Sequence, residues 1–95
     1  MLTVSSRQST SVNPSTSIEG TFGVVLRILR FGKDMSQEEL AHVSGYHRNY
    51  IGMLERGEKS PSLRTLFNLA GALSTSPSEI LKSVEDSLKR RGRAV

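Results

Sequence analysis

The stretch from Ser36 to Gly57 constrains the fold of this chain more than any other segment. Its apolar residues recur at the three- and four-residue spacing of helices, not at the two-residue spacing of strands. Small residues, Ala41 and Gly45, stand where two short helices would have to cross. Ile51 and Leu54 give the second of these helices an inward-facing side. The segment therefore predicts two short helices joined by a tight turn at Gly45, a residue that tolerates the positive φ of such a turn.

The outward side of the second helix is rich in residues suited to nucleic acid. Arginine and asparagine can form paired hydrogen bonds with guanine and adenine edges. A two-helix motif with such an outer side is typical of proteins whose second helix enters the major groove of DNA. Arg48 is a candidate for guanine or phosphate contact, and Asn49 either pairs with adenine or makes a local bond at the helix start. The outward residues are His47, Arg48, Asn49, Gly52, Met53 and Arg56.

Neighbouring residues are candidates for supporting contacts. Tyr50 either packs its ring or brings its hydroxyl to a phosphate, and Met53 could touch a thymine methyl group. Gly52 would allow close approach of the helix to the duplex, although glycine weakens a helix by about 1 kcal/mol relative to alanine. Arg56 and Lys59 follow the helix and could hold phosphates, which fix register without reading sequence. For Lys59, a solvated position is an equal alternative.

Helical spacing continues on both sides of this motif, with no strand pattern. A first helix is expected from about Thr21 to Gly32, and Ser36 with Glu39 forms a capping box for the second. Ser62 is expected to cap a fourth helix, and Pro77 to begin a fifth. The prediction is an all-α, five-helix bundle of the lambda-repressor type. Its apolar stripes include Val43 in the second helix, Leu63, Leu66, Leu69, Ala70 and Leu73 in the fourth, and Ile80, Leu81, Val84 and Leu88 in the fifth.

Composition sets the domain limits. Nine of the first 20 residues are Ser or Thr, so residues 1–19 are expected to form a flexible leader. Residues 20–82 form the predicted helix-turn-helix domain. Residues 83–95 are expected to be a basic helical extension or tail, because residues 81–95 carry five basic and two acidic side chains. Val84 and Leu88 continue the apolar spacing there and are expected either to line a dimer interface or to pack on the first helix.

Other classes of function find little support in the sequence. The chain has 95 residues, no cysteine and two histidines, so a metal centre is not expected. No serine has a neighbouring base and orienting group, and no phosphate-binding glycine loop is present, so an enzyme is not expected. No apolar run approaches the roughly 20 residues of a membrane span. We expect a cytoplasmic protein without a cofactor.

The motif resembles the phage Cro/repressor-type helix-turn-helix family, called Xre, over about residues 20–82. The resemblance rests on Gln37, Ala41, Gly45, Ile51, Leu54 and Glu55-Arg56-Gly57, followed by Pro61-Ser62-Leu63 and Ser78-Glu79-Ile80-Leu81. It implies a third helix in the major groove, base reading by Arg48 and Asn49, and a phosphate contact from Gln37. It also implies a partly buried ion pair between Arg30 and Glu55, which would keep the Glu55 carboxylate turned away from phosphate.

The resemblance implies a sequence-specific transcriptional regulator that binds a near-palindromic operator in double-stranded DNA as a homodimer. Within the family, the segment HRNYIGMLERGE is similar to controller proteins of restriction–modification systems. An antitoxin that binds a toxin partner, docked by the segment after Leu81, is a further alternative, as is a coactivator-like bridging domain. RNA polymerase is a possible partner of a regulator. Gly52, Tyr46 and Ser44 depart from the family pattern and leave the operator sequence open.

Overall fold

The computed structural model describes residues 17–91. Five helices occur in this part of the chain, and it contains no strand. They are α1 (Ile18–Gly32), α2 (Gln37–Ser44), α3 (Arg48–Glu55), α4 (Leu63–Ala72) and α5 (Pro77–Arg90). The predicted all-α, five-helix fold with a helix-turn-helix is confirmed.

Serine side chains start four of these helices. The hydroxyls of Ser17, Ser36, Ser62 and Ser76 each accept a hydrogen bond from a backbone N–H three residues ahead. At α2 the predicted capping box is complete, because the Ser36 N–H also donates to the Glu39 carboxylate at 2.7 Å. The cap at Ser17 makes α1 begin at Ile18, three residues before the predicted Thr21. Residues 17–19 therefore belong to the bundle, whereas the rest of the expected leader lies outside the described residues.

The core lies where all five helices meet, and its largest enclosed side chains include Leu26, Leu40, Ile51, Leu54 and Leu69. Three residues that helical spacing assigned to the apolar side of their helices lie outside this core. Val43, Leu63 and Leu81 are exposed, Leu63 to 72%. Each lies at the edge of its helix's apolar stripe, where helical spacing alone does not separate buried from exposed positions.

Helix α5 continues well past the domain limit expected at residue 82. It runs to Arg90 and packs along α1, with Val84 and Leu88 in the core. Residues 83–90 are thus part of the bundle, and the last four residues of the expected tail lie outside the described range. No helix among residues 17–91 is long and apolar enough to cross a membrane.

Candidate DNA-binding surface

The turn between α2 and α3 is built around Gly45. This residue has a φ of 82°, in the left-handed region that glycine adopts without strain. The N–H groups of Gly45 and Tyr46 both donate to the carbonyl oxygen of Ala41, each at 2.9 Å. His47 then serves as the N-cap residue of α3 through its backbone, without a hydrogen bond from its side chain. The turn ends α2 sharply and lets α3 cross it.

Helix α3 has a buried side and an open side. Ile51, Leu54 and Glu55 are buried, while His47, Arg48 and Asn49 are exposed. Met53 is half-buried, and Arg56 is exposed at the end of the helix. Residues 48, 49, 52, 53 and 56 follow the spacing of one helical face. The sequence-predicted positions therefore share one side of α3, called here the reading face and comprising His47, Arg48, Asn49, Gly52, Met53 and Arg56.

Gly52 is buried, whereas the sequence predicted an outward position for it. That outward position would have admitted the duplex closely. The Arg56 side chain covers it: a Cβ added to Gly52 would lie 3.0 Å from Arg56 Nη1. Since glycine has no side chain, the guanidinium can lie over the helix backbone at this point. The glycine therefore makes room for Arg56, and the duplex would meet that guanidinium first.

Both arginines of the reading face have an acidic partner. Arg48 Nε donates to Glu38 Oε2 at 3.1 Å, across from α3 to α2. Arg56 donates from Nε to Glu58 Oε2 at 2.8 Å and from Nη2 to Oε1 at 3.3 Å. The hydrogen bond with Arg56 lowers the pKa of the Glu58 carboxyl. All four side chains are about half exposed or more, so these pairs contribute little to folding stability. Lys59, in the following loop, is exposed.

Tyr50 is directed to the protein interior and not to the reading face. Its hydroxyl lies 3.4 Å from Thr65 Oγ1, and its ring is 5.2 Å from the ring of Tyr46. The Tyr46 hydroxyl also reaches Thr65, at 3.1 Å, and accepts a hydrogen bond from Asn68 Nδ2 at 2.9 Å. This cluster ties α3 to α4. Sequence reasoning missed it, since only the departure of Tyr46 from the family pattern drew attention to that position.

An ion pair beneath the reading face joins α1 to α3. Arg30 donates from Nε to Glu55 Oε2 at 2.6 Å and from Nη2 to Oε1 at 2.9 Å. Gln37 Nε2 donates to the same carboxylate at 3.0 Å, and Arg27 Nε lies 3.6 Å from it. Arg30 Nη1 also donates to the Met35 carbonyl oxygen. The Gln37 amide expected to reach phosphate is thus engaged by Glu55, and Arg27 is a partner that sequence reasoning did not identify.

The shifted pKa of the Glu55 carboxyl makes the stability of the fold depend on pH. Burial by itself would raise its pKa, but hydrogen bonds from Arg30 and Gln37 and the charges of Arg30 and Arg27 outweigh this and hold the pKa below its ordinary 4.5. The unfolded chain therefore binds this proton more readily than the folded protein. We expect the ionised Glu55 carboxylate to add its full share to the free energy of unfolding above pH 4.5, and this share to decline as the pH falls further. Urea unfolding across that range should show a weaker decline in Glu55→Gln than in the parent, and equal declines would contradict the expectation.

Val84 and Leu88 are not an exposed dimer interface. Only 6% of Val84 and 2% of Leu88 is accessible, because α5 turns this side onto the core. The second of the two expected packings, against α1, is the one observed. The exposed apolar residues nearby are Ile18 and Leu81. The antitoxin alternative placed its docking element after Leu81; within α5 the two apolar residues of that segment are enclosed, and residues 92–95 lie outside the described range.

Four polar side chains are buried among residues 17–91: Thr21, Arg30, Glu55 and Thr65. No group of three or more His, Cys, Asp or Glu side chains among residues 17–91 could hold a metal ion. The buried polar residues of this range serve the ion pair and the tyrosine cluster, except Thr21 in α1. The distinctive polar arrangement is therefore the reading face with its two acidic partners.

Comparison with known proteins identifies the family. The family model HTH_3, helix-turn-helix, matches residues 26–80, more than half of the chain. Control protein C.SmaI of Serratia marcescens is 48% identical over 56 residues, covering 59% of this chain and 67% of that protein. The restriction–modification controller protein C.AhdI of Aeromonas hydrophila is 47% identical, with a TM-score of 0.62, over 63% of this chain and 91% of that one.

A third likeness concerns the fold alone. The C.Esp1396I controller tetramer, crystallised with its natural 35 base-pair operator, has a TM-score of 0.69 at 24% identity, over 75% of this chain and 93% of that one. The family expected from the sequence is confirmed by the domain match and by the two closer likenesses. The chain therefore belongs to the Xre-type helix-turn-helix family, and it is a DNA-binding transcriptional regulator homologous to restriction–modification controller proteins.

Proposed function

We propose that this protein is a regulator of the restriction–modification controller type, which binds a near-palindromic operator as a homodimer. The observation that carries the proposal is the exposed reading face of α3, with Arg48 and Asn49 at its start. The likeness to two named controllers, at 47% and 48% identity, supports the controller type. Because the proposed ligand is operator DNA and the two named controllers come from bacteria, we place the protein in the cytoplasm.

Two kinds of contact divide the proposed surface. Arg48, Asn49 and Met53 would read base edges in the major groove, because they lie on the outer side of the first two turns of α3. The remaining polar side chains would hold phosphates and set the register. Gln37 and Tyr50 would do so only after exchanging the protein contacts described above for phosphate oxygens. This second group comprises Gln37, His47, Tyr50, Arg56 and Lys59, with Arg56 reaching outward over Gly52.

A dimer contact is proposed around Ile18 and Leu81. Ile18, on the first turn of α1, and Leu81, in α5, are both about half exposed. They line the same groove, which Val84 helps to floor. An apolar surface of this kind, shared by two helices, suits a two-fold interface in which each copy presents the same patch. A symmetric dimer would present two α3 helices to successive major grooves, about 34 Å apart.

The proposal is tested by selecting bound duplexes from a random pool at two salt concentrations. We expect the selected duplexes to share two inverted half-sites, about one helical turn apart. Affinity should fall as salt rises, because the phosphate contacts release counterions. A pool that shows no enrichment over the starting sequences, with folded protein, would reject sequence-specific binding. A single unpaired half-site would reject the homodimer.

Replacing Arg48 by alanine should relax recognition at one base pair of each half-site. A bidentate arginine–guanine contact is worth about 1–3 kcal/mol of discrimination, and its loss should flatten the preference at that position alone. Competition binding against duplexes with single base changes measures this, and circular dichroism checks that helical content is kept. Arg90→Ala, which removes the same charge from the last turn of α5, is the matched control and should leave every base preference intact. Unchanged discrimination in Arg48→Ala would reject its base-reading role.

A further inference from the structure

Among residues 17–91, the Arg48 guanidinium makes a hydrogen bond to another side chain through only one of its three nitrogens. Its Nε donates to Glu38 Oε2 at 3.1 Å. In the part of the chain that the structure describes, neither terminal nitrogen of Arg48 donates a hydrogen bond to another residue. Glu38 lies in the first turn of α2 and Arg48 is the first residue of α3. The contact therefore joins the starts of the two helices of the DNA-binding motif.

Arg56 shows the contrasting arrangement. Its Nε and Nη2 both donate to Glu58, at 2.8 and 3.3 Å, so the carboxylate takes one whole edge of the guanidinium. The remaining Nη1 lies over the backbone of Gly52. A guanidinium has five N–H groups, so this pairing still leaves Arg56 one N–H on Nη2 and two on Nη1, but Nη1 is turned against α3 at Gly52. Arg48, held only through Nε, keeps both terminal nitrogens available to a base with its present contact intact.

We infer that Glu38 is a positioning residue for base recognition, which holds Arg48 through Nε so that Nη1 and Nη2 are presented together to a guanine edge. The inference rests on the proposed function and adds to it a residue that does not touch the base. Bidentate reading of guanine O6 and N7 needs two coplanar donors in a fixed direction. A guanidinium that is already oriented loses less side-chain freedom on binding than one that moves freely in solvent.

Because Glu38 is negatively charged, its removal should affect binding to unrelated DNA and the preference for the selected operator in opposite ways. A carboxylate beside the groove is repelled by phosphates, so it lowers affinity for every duplex alike. Its hold on Arg48 raises affinity only for duplexes with guanine at the right position. Removing Glu38 should therefore strengthen binding to unrelated DNA and weaken the preference for the selected operator. A residue that acts by charge alone would change the first quantity and leave the second unchanged.

The experiment compares the parent with Glu38→Ala, Glu38→Gln and Glu39→Gln. The measured quantity is the ratio of affinities for the selected duplex and for the same duplex with the Arg48-dependent base pair replaced. Glu38→Ala should lower this ratio about fivefold to tenfold, within the range of a bidentate contact. Glu38→Gln, whose amide oxygen can still accept from Nε, should lower it less. Glu39→Gln removes the same charge one residue away and keeps the capping box, so its ratio should equal that of the parent.

A double-mutant cycle completes the test. In an Arg48→Ala background, Glu38→Ala should cause no further change in the ratio. A parent-like ratio in Glu38→Ala would overturn the inference while leaving the operator proposal standing. A lost preference at a base pair that Arg48→Ala does not affect would also overturn it, since Glu38 would then contact a base itself. A folded parent with no preference among duplexes would reject the proposed function, and this inference with it.

Discussion

Replacing Glu55 by alanine is expected to lower the free energy of unfolding by about 3–5 kcal/mol, as is typical when one partner of a buried ion pair is removed. The Glu55 side chain is fully enclosed and that of Arg30 is only 8% accessible. Without the carboxylate, the Arg30 guanidinium would stay buried with two of its donors unpaired. Gln37 would lose its acceptor as well. Urea denaturation followed by circular dichroism measures the change.

Glu58→Ala is the matched control for this variant. Glu58 also pairs with an arginine through two hydrogen bonds, but both partners are half exposed. Water replaces the lost contact there, so the midpoint of unfolding should scarcely move. The comparison separates the effect of burial from that of pairing. If Glu55→Ala unfolded at the same urea concentration as the parent and Glu58→Ala, the buried pair would have no part in holding α1 and α3 together.

The Glu55 pair also bears on the reading face, because it fixes the end of α3 from two directions. Arg30 reaches it from α1 and Gln37 from the start of α2. Loss of the carboxylate would free α3 to shift relative to α2, and with it the spacing of Arg48 from Glu38. For this reason, operator affinity of Glu55→Ala should fall even at a temperature where the variant remains folded.

Much of this arrangement could be predicted from the sequence, because local chemistry dictates it. Ser36 and Glu39 specify a helix start by their own hydrogen bonds, and Gly45 suits the left-handed turn at its position. The resemblance to the Xre family pointed to Arg30 as the partner of Glu55, and the pairing has a physical reason, because an acidic residue on a helix meant for DNA has to be turned away from phosphate. These predictions succeeded since each depends on a few residues close in sequence or on a charge that has to be neutralised.

Other features could not be predicted, because they depend on how helices meet in space. Spacing alone did not show whether Val84 and Leu88 face α1 or solvent, because that depends on how α5 packs against α1. The Tyr46–Thr65 contact spans 19 residues and has no local signal. The cap at Ser17 was hidden in a Ser-rich segment, where one capping serine looks like the others. The reading face itself remains a prediction for binding experiments.

Gly23 is a second site where α1 and α3 meet, and sequence reasoning did not single it out. It is buried in the middle of α1, and a Cβ there would come closer than 3.0 Å to the carbonyl oxygens of Leu54 and Glu55. Both are backbone atoms, so no side-chain rotation can relieve the clash. Gly23→Ala should therefore destabilise the protein by about 1–3 kcal/mol, the usual range for overpacking, although alanine is the better helix former by about 1 kcal/mol.

Gly71→Ala tests the same substitution without the clash. Gly71 lies within α4, and an added Cβ there would have nothing within 4 Å. Only the helix preference remains, so this variant should gain up to about 1 kcal/mol. Opposite signs for the two glycines in urea unfolding would show that α1 must approach the end of α3 at backbone distance. Stabilisation by both would mean that α3 can move away from α1 at little cost, and Gly23 would then have no role in setting the reading face. If α3 is seated by this contact, Gly23→Ala should also bind the selected duplex more weakly, whereas Gly71→Ala should bind it as the parent does.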